Sequence, residues 1–294
     1  MTTFQIIDLI KSKINDIKIS IKNKEVEVPE DTKLEDIPSL IDSIEAGGGG
    51  EEYVIDDASY LFYECTRTNL FKDLKKHFKL TNCRDMFASS SNHSDNVITT
   101  EDINELDLTN VTSCYDMFKT SSLSKVTGDL IFDIPKCTTL YYFAYGYGLN
   151  DATSITFLNS NKVTNIQQIF YGGFNKDADA QNKKMTVLRW DLSACTNCNN
   201  VFCSASHTYS GCKFLHTIDF MGGSFGGNST SSSLTLDLSK LESMTKESYI
   251  NMFNSLGNNT KAKTRIFKIN QAIYESLSEE ELGIATGKGY TVSY

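Results

Sequence analysis

The residues best suited to chemistry are cysteines, and Cys195 and Cys198 have the C-x-x-C spacing of metal sites and redox pairs. A zinc site needs a second pair of ligands, and Cys203 and Cys212 do not have zinc-like spacing. In the repeat described below, Cys195 and Cys198 fill columns that hold Val, Leu or Ile elsewhere. We therefore predict buried, reduced thiols that act as small apolar side chains, with a metal site and a disulfide as the alternatives.

The other candidate catalytic side chains form no recognisable constellation. The four histidines, His77, His93, His207 and His216, are scattered and lie in no nucleophilic motif. Aspartates recur singly near strand ends, where a carboxylate commonly accepts hydrogen bonds from the amides of the following turn. We predict that the chain is not an enzyme and holds neither a cofactor nor a metal.

An aromatic cluster is the remaining candidate site. Tyr141 and Tyr142 fall inside the repeat, whereas Tyr145, Tyr147 and Tyr171 lie just beyond it. Exposed tyrosines bind sugars and protein surfaces well, because each combines apolar area with a hydroxyl. We predict that Tyr145, Tyr147 and Tyr171 contact a cell-surface glycan or protein, and the alternative is that half of the cluster is core.

A repeated octapeptide positions these side chains. It reads LTNCRDMF at 80–87, VTSCYDMF at 111–118, CTTLYYFA at 137–144, VTNIQQIF at 163–170 and CTNCNNVF at 195–202. Short runs typical of β-strands recur at LDL (106–108), LIFDI (130–134), SITFL (154–158), VLRWDL (187–192), HTIDF (216–220) and LTLDL (234–238). A spacing of about 26 residues between repeats indicates one strand-and-return unit stacked many times. The predicted fold is α/β, an irregular solenoid with a parallel, strand-lined face.

These residues resemble the irregular leucine-rich repeats called BspA-like, found in surface proteins of gut bacteria and protozoa and in virion proteins of phages that infect such bacteria. The resemblance covers residues 55–294. It includes a closing module at about 240–294, in which a helix, a strand, an L-x-x-E-x-x-I-A-T-x-K-G-W type helix and a final strand follow the last repeat. Tyr290 stands here where the family tends to have Trp. The resemblance implies the solenoid fold and says little about function.

The chain divides at a glycine tract. Four glycines at 47–50 predict a flexible linker over 47–51, which separates a segment at 1–46 from the solenoid at 52–294. The first segment resembles the helical leaders of phage tail and head fibre proteins. We predict a small, mainly helical anchor that oligomerises or docks, and the alternative is a subdomain packed on the solenoid. Its apolar stripes predict the docking residues Ile7, Ile10, Ile14, Ile17, Ile37, Leu40, Ile41 and Ile44.

The composition of the chain limits the kinds of partner that we expect it to bind. A net charge of −9 disfavours binding to nucleic acid, and no apolar run is long enough to insert into a membrane. The leader resemblance predicts a phage virion protein, made in the host cytoplasm and docked on other virion proteins, that recognises the host surface. A homotrimer is expected by analogy with phage fibres and from isoleucine at seam positions. The alternative is an adhesin on a bacterial surface, for which the sequence shows no export signal.

Overall fold

The computed structural model describes residues 54–65, 70–91, 98–172, 183–203, 212–259 and 263–294. The predicted anchor (1–46), the glycine linker (47–51) and all of the predicted docking residues lie outside these ranges. Val54 to Tyr294 belong to one compact unit. No helix in the described ranges is both long enough and apolar enough to cross a membrane.

Short parallel strands form three sheets within the described residues. This arrangement confirms an α/β chain built on parallel sheets, and the strand-like runs near 130, 154, 187, 216 and 234 all contain strands. The first sheet pairs β1 (Ile55–Asp57) with β2 (Phe78–Asn82). The second has the order β3 (Gly128–Asp133), β4 (Ala152–Leu158), β5 (Val187–Arg189), β6 (Thr217–Asp219). The third has the order β7 (Ser233–Asp237), β8 (Thr264–Lys268), β9 (Thr291–Ser293).

The helices of the described ranges are short, and α2 to α5 begin at polar caps. The bounds are α1 (Leu70–Lys75), α2 (Thr100–Asn104), α3 (Lys246–Ser255), α4 (Gln271–Ser276) and α5 (Glu279–Thr286). A capping box opens α2 with Thr99 and Asp102, and another opens α5 with Ser278 and Glu281. Each box satisfies backbone N–H groups that the first helical turn leaves unpaired. After β7 the chain runs helix, strand, two helices and final strand, which is one helix more than the predicted closing module has.

The predicted strand at 106–108 is absent, although Leu106 and Leu108 are buried as predicted. Helix α2 occupies the place beside β3. The Asn104 side chain donates from Nδ2 to the Asp129 carbonyl and accepts from the Ile131 N–H, both at 2.9 Å. One amide side chain thus pairs with the edge of β3 as a strand peptide would. Because the Asp129 carbonyl and the Ile131 N–H of β3 already have partners in Asn104, they need no hydrogen bonds from residues 106–108.

The core lies between the second sheet and the returns that follow its strands. Along β3, Leu130 and Phe132 are buried while Ile131 between them is exposed, the alternation expected of a strand. The Phe132 ring lies 6.0 Å from Phe118 and 5.2 Å from Phe143, which belong to returns. Burial is confirmed for the core residues predicted from the repeat, namely Phe132, Ile155, Phe157, Leu236, Phe118, Phe170 and Phe202.

The returns form a ladder of six coils, which we number 1 to 6: residues 58–65, 83–90, 114–121, 140–147, 166–172 and 198–203. From coil 2 to coil 3, N–H groups of Asp85, Phe87 and Ser89 donate to carbonyls of the next coil at 2.8–2.9 Å. The same alternation joins coils 1 and 2, 3 and 4, 4 and 5, and 5 and 6. Isolated parallel bridges link the residues that precede coils 2 to 6, namely Asn82, Ser113, Thr139, Asn165 and Asn197.

Two polar columns of the octapeptide explain why each return turns. The residue before each coil accepts a side-chain hydrogen bond from an N–H two residues on, as Asn165 does from Gln167 at 3.0 Å. The recurring threonine donates its hydroxyl to a carbonyl of the previous repeat, as Thr138 does to Thr112 at 3.2 Å. The first column bends the chain and the second fixes the register. Equivalent hydrogen bonds from an N–H two residues on are accepted by the side chains of Asp57, Asn82, Ser113, Thr139 and Asn197. Equivalent hydroxyl bonds are donated by Thr112, Thr164 and Thr196.

The third residue of every coil has a left-handed backbone. Its φ lies between 53° and 61° in Tyr60, Asp85, Asp116, Tyr142, Gln168 and Asn200. This conformation ends any right-handed helix, so the returns are consecutive turns rather than short helices. Because it recurs in all six coils, it belongs to the repeat and marks no single site. Coil 1, at 58–65, was not predicted, since its sequence ASYLFYEC begins without the usual threonine and amide.

Candidate binding surface

The C-x-x-C pair lies in the core. Cys195 and Cys198 are both buried, as predicted, and the Cys198 thiol donates to the Thr235 carbonyl at 3.1 Å. The hydrogen bond with Cys198 and burial raise the pKa of the Cys195 thiol well above its usual value. A protonated thiol is a poor nucleophile and a poor metal ligand. In the described ranges, no group of three or more His, Cys, Asp or Glu side chains could hold a metal ion.

The recurring aspartates shape turns, as predicted, with one exception. Asp133 is followed two residues on by Pro135, whose nitrogen carries no hydrogen, and its carboxylate accepts from Asn159 Nδ2 at 2.8 Å. The other carboxylates bind the N–H two residues on at 2.8–3.0 Å: Asp107 binds Thr109, Asp191 binds Ser193 and Asp237 binds Ser239. These carboxylates therefore stabilise turns, and their oxygens are already engaged in hydrogen bonds.

The three predicted binding tyrosines occupy different environments. Tyr145 is half-buried, and its ring stacks on Tyr171 with centroids 5.4 Å apart and planes 8° apart. Tyr171 was expected to be exposed, but only 8 % of its surface is accessible, because it lies against the neighbouring coil. Tyr147 is 48 % exposed and makes no ring contact with another described aromatic residue. The structure brings Tyr145 and Tyr171 together and leaves Tyr147 apart.

Tyr145 belongs to a larger surface that the sequence reading missed. The second, third and sixth residues of coils 1 to 4 project side chains along one side of the ladder, one coil after another. The rows run across the coils at the strand spacing of about 4.8 Å. We call this surface the tyrosine face and define it by ten residues: Tyr60, Tyr63, Arg84, Asp85, Tyr115, Asp116, Lys119, Tyr141, Tyr142 and Tyr145.

Rings and cations alternate along the tyrosine face. The Arg84 guanidinium carbon lies 5.8 Å from the Tyr60 ring centroid and 4.8 Å from that of Tyr115. Tyr115 in turn stacks on Tyr141 at 4.9 Å. In the parallel row, Lys119 Nζ lies 5.0 Å from the Tyr142 ring. Other ring pairs of the face meet at steep angles, as Tyr142 and Tyr145 do at 80°.

The charges of the tyrosine face are paired. Arg84 Nε donates to Asp85 Oδ2 at 3.2 Å, and Lys119 Nζ donates to Asp116 Oδ2 at 2.9 Å. Both carboxylates are buried, whereas the two cations are more accessible. Burial outweighs the neighbouring cations and raises the pKa of both acids, that of Asp116 to about 6. Each buried carboxylate is thus paired with a cation that is more accessible to solvent.

Asp116 has an unused acceptor at the centre of this surface. Its Oδ1 atom is buried and has no hydrogen-bond partner. After burial or hydrogen bonding, the Asp116 charge is one of the causes that raise the pKa of the Tyr60, Tyr115 and Tyr142 phenols. A buried acceptor without a partner costs free energy and is uncommon in native proteins. A hydroxyl or amide donor could satisfy it.

Coils 5 and 6 carry amides in the same columns. The second and third residues there are Gln167, Gln168, Asn199 and Asn200, and Asn197 Nδ2 donates to Gln167 Oε1 at 2.9 Å. The signal was present in the sequence. The two letters after the first coil residue read RD, YD and YY in coils 2 to 4, then QQ and NN.

No protein-family model matches the chain. No curated protein and no solved structure shows significant similarity to it. The comparisons therefore assign no role to the tyrosine face.

Proposed function

We propose that the chain is a structural protein of a phage virion, a tail or head fibre or a fibre tip. In this proposal residues 52–294 are a non-enzymatic, leucine-rich-repeat-like solenoid that presents the tyrosine face to the host surface. The face is the observation that supports recognition, because clustered tyrosines beside arginine are typical of binding surfaces. The six hydrogen-bonded coils support the solenoid, since each coil needs its neighbours to satisfy its backbone.

The anchoring role rests on the sequence. The proposal has residues 1–46 dock on other virion proteins and join three copies, with the glycine linker letting the solenoids separate. Three copies would allow several weak contacts with a repetitive surface to act together. Isoleucine at the seam positions favours more than two strands.

Fractionation of a culture that produces the chain tests the virion assignment. Particles are banded by density and cell envelopes are collected separately, and peptides of the chain are quantified in both by mass spectrometry. We expect enrichment with capsid and tail proteins. Recovery only with cell envelopes would overturn the virion assignment in favour of a bacterial adhesin.

Mass in solution tests the anchor. The full chain has a mass of 32.9 kDa, so a trimer is expected at about three times this value. A chain shortened to begin at Glu51 is expected to be a monomer. If the shortened chain forms the same oligomer, the solenoid and not residues 1–46 makes the contacts.

A further inference from the structure

We propose that the tyrosine face binds an uncharged, hydroxyl-rich glycan chain laid across coils 1 to 4, with Asp116 Oδ1 accepting a hydrogen bond from a sugar hydroxyl. This inference rests on the proposed recognition role and names the class of ligand.

Asp116 supplies the first reason. The residue is 4 % exposed, and its Oδ1 lacks a partner while Oδ2 is held by Lys119. A site that uses such a buried acceptor discriminates strongly for a ligand that can donate to it. Sugar hydroxyls donate hydrogen bonds without bringing a charge, so they satisfy the atom and leave the ion pair intact.

Charge balance argues for an uncharged ligand. Two carboxylates and two cations lie on the face, and each acid is paired with the cation beside it. A cationic ligand would compete with Arg84 and Lys119 for the same rings, and an anionic ligand would approach Asp85 and Asp116. Either kind of charged ligand would break an ion pair of the folded chain. A buried charge that loses its partner costs free energy.

The shape of the face argues for a chain-like glycan rather than a protein. The side chains form rows that run across four coils, and six of the ten residues are tyrosines, each of which carries a hydroxyl. A stable protein partner typically covers about 800 Å² on each side around an apolar centre. None of the ten residues of the face is among the large exposed apolar residues of the described ranges, which are Val54, Ile131, Tyr147, Leu158, Phe214, Met221 and Tyr294.

Lys119 explains how a ligand reaches a buried atom. Its side chain is 36 % exposed, against 6 % for the Asp116 side chain beneath it. A lysine side chain is long and flexible, so the Lys119 methylenes can shift while Nζ keeps its hydrogen bond to Asp116 Oδ2. The neighbouring tyrosines are held by stacking and can stay in place.

Calorimetric titration of the full chain tests the inference. The uncharged probes are maltohexaose, mannohexaose, xylohexaose, laminarihexaose and chitotetraose, and the charged probes are a galacturonate hexamer and a glucosamine hexamer. We expect at least one uncharged probe to bind with a Kd below about 1 mM, and charged probes to bind more weakly. Tyr115→Ala and Tyr141→Ala should each weaken binding about tenfold, the usual loss for a central aromatic contact.

Matched variants separate a site from a structural cluster. Gln167→Ala removes the side chain in the same column one coil further and should leave the Kd unchanged. Asp116→Asn should weaken binding about tenfold without lowering the melting temperature. The inference is overturned if no uncharged probe binds, if a charged probe binds more tightly, or if Gln167→Ala weakens binding as much as Tyr141→Ala.

The two proposals can fail separately. Glycan binding by a chain found only in cell envelopes would overturn the virion assignment and leave the glycan site standing. A chain found in virions that binds none of the uncharged probes would retain its proposed place and lose the glycan.

Discussion

Coils 1 to 4 and coils 5 and 6 share a backbone and differ in what they present. Both regions use the same parallel hydrogen bonds, the same left-handed third residue and the same buried phenylalanine column, with Ala144 as its exception in coil 4. The second and third residues carry rings and charges in the first region, with Ser59 as the exception, and only amides in the second. One of these amides, Gln167, accepts a hydrogen bond from Asn197, the residue before coil 6.

This difference shows which side chains the fold requires. Glutamine and asparagine serve the ladder in coils 5 and 6, so the backbone does not need Tyr115, Tyr141 or Asp116. The buried acid is also unfavourable for stability, because burial raises its pKa. Residues that are unnecessary or costly for the fold are candidates for function.

The largest expected effect tests what the two regions share. Phe118→Ala in coil 3 and Phe202→Ala in coil 6 should each lower the free energy of unfolding by about 3–5 kcal/mol, because both rings are buried among other apolar side chains. Urea denaturation followed by circular dichroism measures the change. Tyr147→Ala, at an exposed position, is the control and should change little. If Phe202→Ala alone lowered the free energy of unfolding only slightly, coil 6 would not depend on its buried phenylalanine as coil 3 does.

A smaller effect is expected where the regions differ. Replacing both Tyr115 and Tyr141 with Gln gives coils 3 and 4 the amide that coil 5 carries. The double variant should fold with unchanged secondary structure and lose about 1 kcal/mol, since ring stacking adds little beyond burial. Thermal and urea melts check this value. Unfolding of the variant would show that the rings are structural.

The smallest effect concerns the pH dependence of stability. Burial raises the pKa of Asp116 to about 6 from its usual 3.8, so the folded state binds this proton more tightly than the unfolded state. Ionised Asp116 therefore destabilises the fold above pH 6, and the penalty disappears as pH falls below about 4. Asp116→Asn should raise the melting temperature at pH 7.5 and have less effect at pH 4. An equal change at both values would contradict the raised pKa.

The parts of the fold that could be predicted are those that repeat. The phenylalanine, cysteine and threonine columns recur because each meets the same neighbours in every coil. Coil 1 was missed because Asp56 and Asp57 precede it in place of the usual threonine and amide, although its backbone is the same. The strand at 106–108 was wrongly predicted because a single side chain, Asn104, takes its place beside β3. A side chain that takes the place of a strand leaves no periodic pattern in the sequence.

The candidate site was harder to predict for the opposite reason. The tyrosine face lies in the columns that vary, and a search for recurring letters passes over them. Tyr145 was found because tyrosines crowd together near it in the sequence, whereas Arg84 and Tyr115 meet only through stacking of coils. The burial of Tyr171 likewise depends on the coil next to it.

Binding to intact cells tests the central claim most directly, that coils 1 to 4 carry recognition and coils 5 and 6 do not. The full chain is labelled with a fluorophore and incubated with a panel of intact gut bacteria. We expect at least one strain to be labelled by the natural chain and by Gln167→Ala, and to lose its label with the Tyr115→Gln, Tyr141→Gln double variant. Equal labelling by the double variant and Gln167→Ala, or no labelled strain, would contradict the account.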